Sequence, residues 1–242
     1  MATPQESPRT RDERSESTPS DQTPAGGAYV PTPRTVPTRS RERASYDRAA
    51  VHAILDEGAV CHLGFVRDGA PVVLPTLYTR IGESLYVHGS TGSPPLRSAG
   101  GEEGLPVCVT VTHLDALVLA RSAFNHSLNY RSVVALGTAY QVTDPAEKAA
   151  ALDALVEQVV PGRAADCRPA DAKELAATAV LRLELAEVSA KSRTGDPGDD
   201  PEDMTLPHWA GLVPVETRYG APVRAGDLDA EVPLPGYLAS SG

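Results

Sequence analysis

Ala59-Val-Cys-His-Leu-Gly-Phe-Val-Arg-Asp-Gly-Ala-Pro-Val-Val-Leu-Pro-Thr-Leu-Tyr-Thr-Arg80 is the stretch whose reading decides the fold. Two apolar runs rich in β-branched residues flank Asp68-Gly69. That dipeptide accepts the positive φ values of a tight turn whose twist matches its flanking strands, so the stretch predicts a β-hairpin. Ile81-Gly-Glu-Ser84 is a second turn, leading into Leu85-Tyr-Val-His-Gly-Ser90. Further strands are expected over Val107–Leu114, Leu117–Ser122 and Arg131–Val142. No long helix separates these runs, so hairpins connect them and the sheet is antiparallel.

Helices lie at the edges of this pattern. Ala50, Val51, Ile54 and Leu55 recur at helical spacing, and Gly58 ends the run, which places a short amphipathic helix over 47–57. Thr143-Asp-Pro-Ala-Glu147 starts another: Asp144 can cap, Pro145 suits the first helical position, and Glu147 fits a capping box. Leu152, Leu155, Val156, Val159 and Val160 form its apolar face, and Pro161-Gly162 stops it. A shorter helix is expected over 170–177, then a strand with Leu181, Leu183 and Leu185 on one face. Residues 196–203, with five acids, read as a solvated loop that opens an irregular C-terminal wrap. The fold class is mainly β with peripheral helices, an antiparallel barrel of six or seven strands.

Composition narrows the function classes. Among 242 residues, 22 are basic and 32 acidic, a net charge of −10. That argues against a general nucleic-acid or anionic-membrane partner, which needs clustered positive charge. Two Phe and one Trp supply no base-stacking surface. Three cysteines, Cys61, Cys108 and Cys167, are too scattered for a disulfide framework or a paired-cysteine zinc site. No run approaches the roughly 18 apolar residues of a membrane span, and the N-terminus lacks a signal-peptide core. A soluble, cytoplasmic protein is the expectation. Residues 1–45 hold seven of the 22 prolines and thirteen Ser or Thr with few large apolar side chains, so they are expected to be a disordered tail. The domain is expected over 46–242.

Familiar catalytic signatures are missing. The six histidines show no metal-ligand spacing, so no metal site is expected; no GxSxG elbow and no GxGxxG turn occur. Two polar clusters stand out instead. In Leu85–Arg97 a strand runs into Ser90-Thr91-Gly92-Ser93 and then a helical turn begun by Pro94 or Pro95. Free amides at a helix start, the hydroxyls and Arg97 would make a phosphate cradle. In 117–137, Arg121, Ser122, Asn125, His126, Ser127, Asn129, Arg131 and Ser132 interrupt apolar strands. Burying such donors without partners costs about 1–3 kcal/mol each, which implies a ligand or a subunit interface.

Together these segments resemble the flavin-nucleotide-binding, pyridoxamine 5′-phosphate oxidase-related family with its FMN-binding split barrel, and the chain is also similar to the nitroimidazole-resistance branch. The matching pieces are Leu74-Pro-Thr-Leu-Tyr-Thr-Arg80, Leu85–Ser90, Leu117–Phe124 with His126-Ser127, Asn129-Tyr-Arg-Ser-Val133 with Gly137, and Trp209-Ala-Gly-Leu-Val-Pro214. The resemblance spans about 46–215 and implies FMN as cofactor. It makes Pro75, Thr76, Leu77 and Tyr78 candidates for ring contacts, and brings His88, Gly89, Ser90 and Ser93 toward the ribityl phosphate. It places Asn129, Tyr130, Arg131 and Ser132 on a strand near a homodimer interface, with Arg121 and Ser122 beside it. Relatives commonly carry Arg or Arg-Lys after the residue matching Ser93, where this chain has Pro94-Pro95, so either Arg97, Arg121 or Arg131 supplies the phosphate's cation or FMN binds weakly. The implied function is a flavin-dependent oxidoreductase acting on a small substrate. The alternatives are a non-catalytic flavin, haem or deazaflavin carrier of the same fold, and an interaction protein whose barrel has lost its cofactor. No catalytic acid or base is identified; His88 and His126 are the imidazoles near the proposed site.

Overall fold

A computed structural model describes residues 27–93, 96–97 and 99–239. The expected turn places Asp68 and Gly69 at φ 52° and 76°, which joins β2 (Val60–Arg67) to β3 (Ala70–Ile81). The Gly82 turn leads to β4 (Ser84–Ser90). β5 (Leu105–Leu119) and β6 (Ser127–Gln141) are the longest strands, followed by β7 (Thr178–Glu184) and β8 (Glu187–Arg193). Two short strands, β1 (Ala44–Ser45) and β9 (Gly211–Pro214), complete the sheet. Hydrogen bonding runs β6-β7-β4-β3-β2-β5 and returns to β6, so six strands close a ring. The ring is uneven: β6 and β7 pair only through Tyr140↔Arg182 and Gln141↔Leu181, and this is where the barrel splits. The expected mainly antiparallel split barrel is the observed one.

Helix α1 (Arg48–Glu57) is capped by the Asp47 side chain, which accepts from the Ala50 amide, and it buries Val51, Ile54 and Leu55 against the barrel. Those residues join Cys61, Tyr78, Val111, Val133, Leu181 and Val188 in the main core. Burial pushes the Cys61 thiol up to about 12, so this cysteine stays neutral and acts as packing. Helix α2 (Pro145–Val159) packs on the barrel through Ala151 and Leu155, a narrower face than its periodicity suggests. Helix α3 (Ala172–Ala177) carries a complete capping box between Asp171 and Glu174. Glu147 closes no such box: its carboxylate accepts from the Tyr86 hydroxyl at 2.9 Å and from Arg182 at 3.0 Å. No helix among the described residues is long and apolar enough to cross a membrane.

The structure departs from the sequence reading in four places. Val107–Leu114 and Leu117–Ser122 are one strand, because a register shift at Asp115 lets β5 continue past the polar interruption. β6 begins at Ser127, earlier than Arg131. β8 lies in a stretch whose only apolar residues are Val188 and Ala190, and it is held by its register with β6, from Tyr130↔Arg193 to Leu136↔Glu187. Residues 27–45, expected in the tail, lie against the domain: Tyr29 is 3% exposed, and Ala28 bridges to Asp47. The rest of the expected tail, 1–26, lies outside the described residues.

Period two and the cross-strand register assign one sheet face to the core and the other to solvent. Val60↔Leu77, His62↔Pro75 and Gly64↔Val73 face outward, while Cys61↔Thr76, Leu63↔Leu74 and Phe65↔Val72 face the barrel interior. The outward set continues through Leu114 and Leu117 of β5, Leu128 and Tyr130 of β6, and Val213 of β9. Val60, Val73, Leu77, Leu114, Leu117, Leu128 and Val213 are all exposed there. This apolar outer face has no covering element among the described residues.

Candidate functional site

Where β2, β3 and β4 meet the open side of the barrel, a cleft of about 250 Å³ forms. One wall is apolar: Leu63 and Phe65 of β2, Leu74 of β3, then Leu105 and Leu181 from distant parts of the chain. The opposite end is polar and carries His88, Gly89, Ser90 and Ser93, with Pro75 and Thr76 along the edge. Six of the residues singled out in the sequence thus line one cavity. Gly89 keeps it open, since a Cβ there would lie 2.5 Å from Leu96 Cδ1.

The polar end has specific hydrogen-bonding capacity. The Ser90 hydroxyl oxygen accepts from the Gly92 amide at 3.1 Å, while the Ser93 amide donates to the Ser90 carbonyl at 2.9 Å. The Thr91 amide donates to the Ala177 carbonyl at 3.0 Å. These amides are therefore used in holding the turn, and the free amides of the expected cradle belong to the helix start that follows it. The expected helical turn begun by Pro94-Pro95 lies largely outside the described residues. What remains for a ligand is side-chain chemistry: the Ser90 and Ser93 hydroxyls and the imidazole of His88. His88 Nδ1 is buried and has no hydrogen-bond partner among the described residues. A buried polar nitrogen left unpaired costs about 1–3 kcal/mol, and a ligand in the cleft would supply its partner.

Other predicted site residues are engaged elsewhere. Tyr78 is not on the cleft wall; it is buried in the core, and its hydroxyl donates to the Leu55 carbonyl at 2.5 Å. Leu77 points to the outer face. Arg97 is exposed on the helical turn after Ser93, outside the cleft lining. Arg131 grips two carboxylates, donating to Glu57 through Nη1 and Nη2 and to Asp115 at 2.8 Å. The guanidinium holds the Glu57 carboxyl below its usual range, and the two acids raise Arg131 in turn. Arg121 pairs with Asp199 at 2.9 Å, and that aspartate side chain is only 1% exposed. Burial opposes its charge, but Arg121 and the backbone amides of Arg121 and Ser122 outweigh this and keep Asp199 lowered. The acidic loop is thus not wholly solvated.

Other members of that cluster are satisfied within the chain as well. The Ser122 hydroxyl accepts from the Phe124 amide at 3.2 Å. Asn129 donates to the Gly195 carbonyl at 3.1 Å and accepts from Arg193 at 2.5 Å. Ser132 donates to the Lys191 carbonyl at 3.0 Å, and Tyr130 stands on the outer face opposite Leu114. The inference that these donors need a ligand or a second subunit is therefore corrected for Arg121, Asn129, Arg131 and Ser132, whose partners are Asp199, the Gly195 carbonyl, Glu57 with Asp115, and the Lys191 carbonyl. The apolar wall was also missed. Leu63 and Leu74 follow from the hairpin register, whereas Leu96, Leu105 and Leu181 arrive through non-local packing that carries no local signal.

Comparison with known proteins gives this arrangement a family. The flavocytochrome Anf3 from Azotobacter vinelandii is 39% identical, with a TM-score of 0.82, over 88% of this chain and 99% of that one. The FAD and heme binding protein from Mycobacterium smegmatis is 42% identical, with a TM-score of 0.77, over 82% of this chain and 97% of that one. A candidate 5-nitroimidazole antibiotic resistance protein from Bacteroides thetaiotaomicron shares the fold at 18% identity and a TM-score of 0.51, over 61% of this chain and 85% of that one. No curated protein matches the chain. The family model for pyridoxamine 5′-phosphate oxidase matches residues 47–192, from the cap of α1 to the end of β8. The chain belongs to the pyridoxamine 5′-phosphate oxidase family.

Proposed function

We propose that this protein is a flavin-binding homodimer that transfers electrons to or from a small substrate. The observation that carries the reading is the cleft, which combines an apolar wall, a hydroxyl-bearing strand end and the unpartnered His88 Nδ1. A flavin matches each part: a flat apolar ring system, a polyol chain and a phosphate. Leu63, Phe65, Leu74 and Pro75 would hold the ring and exclude water, while Ser90 and Ser93 would bind the polar end. His88 would receive or donate a hydrogen bond at Nδ1. Between the flavins, one comparison favours FAD over the expected FMN: the Mycobacterium smegmatis relative is a FAD and heme binding protein. Flavin, when bound, supplies the redox chemistry; the chain supplies orientation and a dry wall.

A second copy fits the same reading. Cofactor pockets run to about 300–1,000 Å³, and a cleft of about 250 Å³ is short of that range. The exposed outer face beside it is large and apolar, the character of an obligate homodimer surface. Dimerisation on that face would bury it and extend the cleft.

A second reading, that the chain also carries haem, is favoured by the two relatives at 39% and 42% identity, one a flavocytochrome and one a FAD and heme binding protein. Anaerobic reduction separates turnover from carriage. An oxidoreductase would have its bound flavin bleached by NADH, NADPH or dithionite and restored by an acceptor. Flavin that dithionite reduces but no nicotinamide or candidate acceptor affects would favour a carrier.

A further inference from the structure

Strand β8 lies at one side of the sheet, where only the short β1 stands beyond it. β1 pairs with it at two positions, Ala44↔Lys191 and Ser45↔Ala190. Earlier residues of the same segment add an ion pair from Arg34 to Glu187 and a hydrogen bond from Lys191 to the Arg39 carbonyl at 3.2 Å. The Arg34 side chain is 60% exposed in that pair, so the contacts along β8 are weak. The segment is held chiefly at its start. Tyr29 is buried in the main core, and its hydroxyl donates to Glu83 at 2.9 Å. The Arg48 guanidinium lies over the Tyr29 ring at 4.3 Å and pairs with the same Glu83. At the other end the Tyr46 hydroxyl donates to the Thr35 carbonyl at 3.1 Å. The family match begins at residue 47, so this cover lies outside it.

Uncovered, β8 presents amides and carbonyls that another strand can take up. Its sequence, Glu187-Val-Ser-Ala-Lys-Ser-Arg193, is complementary to itself. Read antiparallel about Ala190, Glu187 stands opposite Arg193, Val188 opposite Ser192 and Ser189 opposite Lys191. Opposite charges directly across a strand pair stabilise the pairing, and here they recur at both ends. Arg193 has no carboxylate partner among the described residues; it donates to the Asn129 side chain and to the carbonyls of Gly195 and Asp196. Within the chain, Arg34 holds the place at Glu187 that Arg193 of a second copy would take. We propose that residues 27–46 guard an interaction surface, the edge of β8, which pairs antiparallel with β8 of a second copy when the guard is released. The pairing is two-fold symmetric, so it joins two copies at this edge and does not propagate. It is separate from the apolar outer face, and it holds whether or not the cleft takes flavin.

The test uses full-length protein carrying Tyr29→Ala with Arg34→Ala, which removes the buried anchor and the ion pair together. Trypsin reads the guard through cleavage after Arg39, Arg41 and Arg43, and sedimentation velocity reads the assembly. Cleavage at these sites should quicken at least about tenfold over wild type, as a local opening exposes them, and the mass should double. Adding Glu187→Arg sets like charges against Arg193 at both ends, and should return the mass to the wild-type value while cleavage stays fast. Arg34→Glu alone, a surface change that spares the core, should shift the mass in the same direction to a smaller extent. In a Leu117→Asp background the change should run from monomer to dimer, which separates this edge from the outer face. Fast cleavage with no change of mass in either variant would overturn the proposal. So would cleavage as slow as wild type after both anchors are removed, or assembly that survives Glu187→Arg.

Discussion

Arg131 sits between Glu57 and Asp115 and satisfies both, tying the C-terminal end of α1 to the bulge of β5. Its guanidinium holds the Glu57 carboxyl below the usual range, so the folded pKa lies under the unfolded one. Stability from this pair is therefore complete above the unfolded value and is lost as pH falls through the lowered folded value. Because the pair is partly solvent-exposed, Arg131→Ala should cost only about 1–2 kcal/mol at neutral pH. The gap between variant and wild type should close below the usual carboxylate range. Urea unfolding midpoints at neutral pH and at about pH 3 check this, since a gap that is equal at both would contradict the role assigned to Glu57. At this scale the sequence located polar residues well but could not say who binds them. Asp199 and Asp115 are far from Arg121 and near but out of register with Arg131 along the chain, so their pairing depends on the fold.

The β2–β3 hairpin was legible because Asp68-Gly69 fixes turn and register together, and the register then decides which alternate residues line the cleft. Strand β8 was not legible, since its alternation in Glu-Val-Ser-Ala-Lys-Ser-Arg amounts to Val188 and Ala190 alone, and pairing to β6 holds the rest. The bulge at Asp115 was read as a strand break for a similar reason: an inserted residue shifts the alternation without ending the ladder. Strand β4 depends on Gly89 at the mouth of the cleft. A methyl group there would meet Leu96 Cδ1, the far end of a flexible side chain, so the fold can yield but the cleft cannot stay as it is. Gly89→Ala should weaken flavin binding at least about tenfold while shifting stability by less than about 1 kcal/mol. Flavin titration alongside thermal unfolding measures both; unchanged affinity would remove Gly89 from the site.

On the scale of the whole molecule, the barrel hides one face of its sheet in the core and presents the other, apolar, to its surroundings. If a second copy covers that face, Leu117→Asp should convert dimers to monomers in sedimentation velocity and lower flavin occupancy with them. A protein that is monomeric as wild type, or dimeric and fully loaded after this change, would contradict the arrangement. The family match, the split barrel and the cleft agree on one chemistry, and that agreement is most directly tested by the absorbance spectrum of the purified full-length protein, taken before and after adding FAD and FMN. The account predicts a yellow protein with a flavin spectrum, its cofactor released on denaturation, or saturable uptake of one flavin per chain where it was purified without any. A colourless protein that takes up neither flavin would contradict it.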